Sequence, residues 1–208
     1  MEHFTIPPIS VPDGQEQVLL HACCAPCSTA IIEACVHSGI RPTVYFYNPN
    51  IYPETEYLLR KNECVRFCEA MGLDYIDGDY DTKAWKKHTA GYEQEPERGK
   101  RCQLCFDLRL ASSAKTAAEH GFSLFATTLS SSRWKDLAQI TRAGEQAADS
   151  YPGVSYWLQD WRKKGLAARK DFLVRQSDFY QQEYCGCFYS LRDSNLWRQK
   201  NNKPLIQR

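Results

Sequence analysis

The chain of 208 residues predicts an α/β sandwich of three layers, with a mainly parallel five-stranded sheet carrying helices on both faces. Short apolar runs rich in β-branched and aromatic residues alternate with longer amphipathic stretches, and glycines or an Asn-Pro pair punctuate the joins. Such alternation, kept up from end to end, favours parallel strands joined by helical crossovers. The composition, 43% hydrophobic and 25% charged, is that of an ordinary globular chain, and no run reaches the length of a membrane-spanning helix.

Taken in order, residues 1–17 carry Glu2, Pro7, Pro8, Pro12 and Asp13 without a basic n-region or an apolar h-region, and read as a loose lead-in. Residues 18–22 read as a buried strand. Residues 28–38 follow as a helix with Ile31, Ala34 and Cys35 at helical spacing, stopped by Gly39. Residues 43–47 form a second strand ended by Asn48-Pro49-Asn50. A helix over 54–71 has Tyr57, Cys64, Cys68 and Met71 on one stripe and Gly72 as its cap. Residues 73–76 are a third strand, 80–90 a helix, 91–101 an exposed loop with Pro96 and Gly99, and 102–120 a helix closed by Gly121. A fourth strand over 122–127, a helix over 135–150, a fifth strand over 154–158 and a helix over 167–182 complete the pattern. Ligands of such Rossmann-like sheets bind at the carboxyl ends of the strands.

Seven of the ten cysteines fall in three knots, Cys23-Cys24-Ala25-Pro26-Cys27, Cys102-Gln103-Leu104-Cys105 and Cys185-Gly186-Cys187. Thiols clustered this way in a chain without secretory features indicate metal ligation in a reducing compartment, so the expected location is cytoplasmic. A zinc or a cubane cluster takes four ligands, and seven therefore leave three for a second metal or a reactive thiol. Cys24, Cys27, Cys102 and Cys105 come as C-x-x-C pairs beside helix starts, where the helix dipole favours thiolate. Cys35, Cys64 and Cys68 lie on apolar stripes and read as core. His21 reads equally as a satisfied core histidine and as a partner of a thiolate. No glycine occurs between Gly14 and Gly39, so the first strand-to-helix turn lacks the phosphate-cradling loop of nucleotide enzymes. Residues 18–208 are read as one metal-binding catalytic domain with basic C-terminal helices.

The motifs His21-Ala-Cys-Cys-Ala-Pro-Cys27, Phe46-Tyr-Asn-Pro-Asn-Ile51, Arg101-Cys-Gln-Leu-Cys-Phe-Asp-Leu-Arg-Leu110, Thr127-Thr-Leu129 with Lys135, and Tyr184-Cys-Gly-Cys187 together resemble the QueH family of cobalamin-independent epoxyqueuosine reductases. The resemblance spans residues 18–191. It implies a tRNA substrate carrying epoxyqueuosine at its wobble position, queuosine as product, an external electron donor, no cobalamin, and a 4Fe-4S cluster beside a mononuclear iron. The ligands it implies are Cys23, Cys24, Cys27, Cys102, Cys105, Cys185 and Cys187; some members of the family carry aspartate at the position of Cys27. The helix-end pairs suggest Cys24, Cys27, Cys102 and Cys105 for the cluster and Cys23, Cys185 and Cys187 for the single iron, with Cys23 pointing away from its neighbour. Tyr184, His21 and Asp107 are near the motifs as candidate proton donors.

From Trp161 onward eleven Lys and Arg face four Asp and Glu, a possible nucleic-acid footprint against the alternative of a solvated surface. Arg133, Lys135, Lys163, Lys164 and Arg169, with Arg162 and Lys170, are candidate phosphate contacts, and Trp134, Tyr156, Trp157 and Trp161 are candidate stacking residues. Two other classes stand beside the reductase. An iron-sulfur tRNA sulfur-transfer enzyme would need a pyrophosphatase loop, and a non-catalytic zinc-stabilised nucleic-acid-binding module would be colourless.

Overall fold

In the computed structural model, which describes residues 5–208, strands β1 (Gln17–His21), β2 (Arg41–Phe46), β3 (Tyr75–Asp77), β4 (Leu124–Thr127) and β5 (Ser155–Tyr156) form one sheet. Every pairing is parallel and the spatial order is β3-β2-β1-β4-β5. The chain builds outward from β1 to β3 and then returns to place β4 on the other side of β1. The carboxyl ends of β1 and β4 therefore open onto a switch point, where a parallel sheet offers a crevice.

Seven helices complete the α/β architecture: α1 (Ala25–His37), α2 (Glu54–Met71), α3 (Thr82–His88), α4 (Lys100–Glu119), α5 (Leu137–Asp149), α6 (Leu166–Gln176) and α7 (Phe188–Lys200). Successive strand residues point to opposite faces, and the two faces feed two cores. Val18, Leu20, Val44, Phe46, Leu124 and Ala126 pack with residues of α1, α2 and α6. Leu19, Tyr45 and Phe125 pack with Phe106 and Leu110 of α4 and Ile140 and Ala143 of α5. Cys35, Cys64 and Cys68 are fully or almost fully buried in the first core, as their apolar stripes predict. The segment before β1 lies against the same core through Ile6, Ile9 and Val11. Residues 1–4 of the predicted lead-in lie outside the described residues.

Helix α2 has the bounds its stripe predicts. Helix α1 starts at Ala25 rather than residue 28 because Pro26 is tolerated in a first helical turn, where its missing N–H would have no partner. Helix α6 stops at Gln176 rather than 182 because tertiary partners capture the next segment: the Tyr180 N–H donates to Glu63, its hydroxyl donates to Glu56, and Phe179 meets Phe67 edge-on. Strand β5 is short, although the Trp157 N–H still donates to the Phe125 carbonyl at 2.8 Å. A side chain at Gly144 of α5 would collide with the Tyr156 ring, so this glycine lets α5 close onto the edge of the sheet.

Candidate metal centre

The first knot grows directly out of β1. Cys24 is the N-cap of α1 and Cys27 sits in its first turn, while the Cys23 N–H donates to Thr128 Oγ1 at 3.3 Å, in the turn after β4. Thr128 also donates to Cys23 Sγ at 3.7 Å. These bonds turn Cys23 back toward its neighbours: its Sγ lies 3.8 Å from that of Cys24, and the thiols of Cys23, Cys24 and Cys27 all fall within 4.8 Å of one another. The expectation that Cys23 points away from Cys24 is corrected by this geometry. Hydrogen bonds from Cys24 and Cys27 hold Cys23 well below the ordinary thiol range despite its burial, with Lys135 and Arg109 adding to the effect. Cys27 is pushed up to about 11, chiefly by its hydrogen bond to Cys23.

The second and third knots meet each other. Cys102 and Cys105 lie in the first turns of α4, and Cys187 is the N-cap of α7. Burial pushes both Cys102 and Cys187 up to about 12, and each is raised further by Cys185 and Cys105. Backbone amides are aimed at two of these sulfurs: the Arg98 N–H donates to Cys102 at 3.3 Å and the Ser190 N–H to Cys187 at 3.4 Å. All four cysteines line one cleft of about 730 Å³. Between the last two, Gly186 has a φ of 132°, open to glycine alone among residues without strain. Its N–H donates to Ser190 Oγ at 3.2 Å and its carbonyl accepts from the Tyr52 N–H at 2.8 Å. Thus three helix N-termini, those of α1, α4 and α7, present thiols, and their dipoles all favour thiolate.

Three cations surround the sulfurs. Lys135 is buried; burial alone would lower its pKa, but Cys185, Cys23 and Cys27 raise it. Arg109, buried in the wall of the cleft, donates to Asn48 Oδ1, and Asn48 in turn donates to the Ala22 carbonyl at the end of β1. Arg60 of α2 donates to the carbonyls of Cys185 and Tyr184 and pairs with buried Glu56 at 2.6 Å. The cleft is also lined by residues with buried polar atoms lacking a partner, among them Asn50 Oδ1, Arg101 Nη2, Arg109 Nε and Gln139 Oε1. Unpaired buried polar atoms are costly, and their concentration here marks a pocket built to receive something.

Other predicted residues scatter. His21 is fully buried, with Nδ1 2.8 Å from Thr127 Oγ1 and Nε2 3.0 Å from the Tyr47 carbonyl. The carbonyl can only accept, so Nε2 carries the proton and Nδ1 accepts from Thr127. The Tyr184 hydroxyl donates to the Tyr52 carbonyl, and Asp107 accepts from Gln103 at 2.6 Å. Lys135 faces thiols rather than solvent. Arg169 makes a two-pronged ion pair with Glu33, both contacts 2.6 Å, that docks α6 on α1. Lys163 and Lys164 are exposed, with Lys163 3.7 Å from Asp160. Arg133 is exposed and lies over Trp134. Trp157 and Trp161 are core residues, Trp161 donating to the Thr127 carbonyl, and Tyr156 packs on Phe125. The roles of Arg60 and Asn48 were not foreseen. Asn48 lies in a motif already singled out, whereas Arg60 carries no signal in sequence.

Fold and site together define a class, an α/β protein whose parallel sheet ends in a thiol-rich pocket suited to a soft metal. Residues 18–193 match the family model described as epoxyqueuosine reductase QueH, and the chain belongs to that family. It is 50% identical over 199 residues to an epoxyqueuosine reductase QueH of Haemophilus influenzae, covering 96% of this chain and 81% of that protein. It is 33% identical over 178 residues to the protein of that name from Thermotoga maritima, covering 84% and 90%. Among solved structures, a predicted subunit of a tRNA methyltransferase from Methanocaldococcus jannaschii shares the fold, with a TM-score of 0.50 and 13% identity over 90% of this chain and 88% of that one. No helix of the described residues is long and apolar enough to cross a membrane.

Proposed function

We propose that this chain reduces epoxyqueuosine to queuosine at the wobble position of tRNA, using electrons from an external donor and a 4Fe-4S cluster beside a separate iron. The observation that carries this reading is the arrival of thiols on three helix N-termini at one end of the sheet, in a chain of the epoxyqueuosine reductase QueH family.

Sulfur separations support one division of the ligands. Thiolates about 2.3 Å from one tetrahedral metal stand about 3.8 Å apart, which matches the 3.8 Å between Cys23 and Cys24 and the close packing of both with Cys27. These three would hold the single iron. A cubane spreads its four ligands wider, which suits Cys102, Cys105, Cys185 and Cys187, a set that contains no such compact trio among the described residues. This assignment replaces the division expected from the helix-end pairs.

Bound there, the iron centre supplies Lewis acidity toward the epoxide oxygen and a path for single electrons. The net reaction takes up two electrons and two protons, releases the oxygen as water and leaves an alkene. Lys135, Arg60 and Arg109 set positive charge against the thiolates, and the amides of Arg98 and Ser190 fix two sulfurs in place. The ring nitrogens of His21 are both engaged, so a proton must come from elsewhere. Glu97 lines the cleft as an exposed residue, and its carboxyl is held above the usual range by desolvation at the cleft wall and by Asp193; it is the acid proposed for the leaving oxygen.

The test combines metal content with turnover. Anaerobically reconstituted protein is expected to hold about five irons and about four sulfides per chain and to convert epoxyqueuosine in tRNA to queuosine, read by mass spectrometry of nucleosides. Cys102→Ser and Cys185→Ser should both lose the visible cluster absorption, and Cys23→Ser should keep most of it while losing turnover. Four irons with four sulfides and no further iron signal would remove the separate metal, and loss of absorption in Cys23→Ser alone would reverse the ligand division.

A further inference from the structure

The two most exposed large apolar side chains of the described residues are Trp134, 67% exposed, and Trp197, 54% exposed. Both line the cysteine-containing cleft. They come from unrelated elements, Trp134 from the loop after β4 and Trp197 from α7. Scattered exposed aromatics need no explanation, but two tryptophans on one cleft do, because each leaves a large apolar surface in water beside a pocket.

Each indole also has a cation over its ring. Arg133 lies 4.9 Å from the centre of the Trp134 ring and Lys203 lies 4.8 Å from that of Trp197. A cation on one face of a ring leaves the other for a flat partner, and the cation itself remains able to meet an anion alongside. The Trp134 platform is held in place: Arg98 donates to the carbonyls of Trp134 and Arg133, each at 3.0 Å, and Gln139 Nε2 donates to the Arg98 carbonyl at 2.8 Å. That last bond fixes the orientation of the Gln139 amide and leaves its Oε1, in the same cleft, as an unpartnered acceptor. Beside the second indole, Arg198 is tied to Glu183 and to the Pro204 carbonyl, which braces the end of α7 that carries Trp197.

From this arrangement we infer that Trp134 and Trp197 are stacking platforms for unpaired bases of an RNA loop, one on each side of the nucleotide that enters the cleft, with Arg133 and Lys203 meeting the adjoining phosphates. The inference rests on the reductase reading and adds the residues that position its substrate. The chemistry it names is a single-stranded loop: a duplex keeps its bases stacked on one another, whereas splayed loop bases offer free faces. A protein partner such as the electron donor could also cover two exposed indoles, but it would not call for a cation over each ring.

The experiment measures binding of an anticodon stem-loop RNA, and of a duplex of the same length, to the iron-loaded protein and its Trp134→Ala, Trp197→Ala, Trp134→Tyr and Trp197→Tyr forms. Each alanine form is expected to weaken stem-loop binding about tenfold and to leave duplex binding unchanged. The tyrosine forms should recover most of the loss, and all four should keep the wild-type iron spectrum. Indole fluorescence should be quenched by the stem-loop and not by the duplex. Wild-type stem-loop affinity in both alanine forms would overturn the inference, as would equal losses for loop and duplex or a defect confined to reduction by a protein donor. Because wild-type turnover of epoxyqueuosine is scored separately, failure of the stacking platforms and failure of the reductase reading give different results.

Discussion

His21 gives both ring nitrogens to the fold, one to Thr127 and one to the Tyr47 carbonyl, and this commits it to the neutral state. Burial, reinforced by Arg109, pushes its pKa down to about 3, whereas in an unfolded chain it titrates at about 6.5. Between those values the unfolded state holds the extra proton, so stability present above the unfolded value is lost as pH falls. In metal-free protein, a change from about pH 6.5 to about pH 5 is expected to remove about 1.5 kcal/mol at this site. Urea unfolding at both values measures it, and His21→Gln, which keeps a neutral donor, should flatten the acid-side slope. The identity of the thiols was legible at this scale because spacing alone groups seven cysteines into three knots. The direction of the Cys23 sulfur was not, because it is set by Thr128, 105 residues away, a contact that no local spacing reveals.

Among the elements, α2 was readable to the residue because its stripe, its acidic first turn and Gly72 all agree. Helix α7 has no bounds in the sequence reading, since Cys187 caps it without the Ser, Thr, Asp or Asn that usually announces a helix. That helix start converts the third knot from a flexible pair into a fixed one, and Gly186 is the hinge of the conversion. An added Cβ there would sit 3.0 Å from Arg60 Nη1 and 3.2 Å from Ile51, on a backbone with φ of 132°. Gly186→Ala is therefore expected to destabilise the fold by about 1 to 3 kcal/mol. It should also lower iron retention, because Arg60 carries the Cys185 carbonyl. Thermal unfolding and iron content after gel filtration measure the two effects, and a variant with wild-type values in both would show that the third knot tolerates another backbone path.

For the whole molecule, the alternation of strands and helices made the parallel sheet readable, and the carboxyl-end rule made the position of the site readable with it. The basic carboxyl-terminal segment was visible too, yet its residues have different employments: Arg169 braces α6 against α1, while Lys163 and Lys164 stay exposed. Reversing Lys163 and Lys164 to Glu is expected to weaken tRNA binding and to reduce its log-log salt slope by roughly one and a half to two, with the iron spectrum unchanged; wild-type affinity and slope would leave these lysines as solvated surface. The wide spacing of the knots also has a consequence for synthesis. A growing chain exposes Cys23, Cys24 and Cys27, with the β4 turn and Lys135 that support them, well before Cys185 and Cys187 leave the ribosome. The compact trio can thus close around an ion while the wider set still lacks two of its sulfurs. If the proposed division of ligands holds, maturation acquires a direction from the order of the chain, with the three-thiol pocket complete before the four-thiol one.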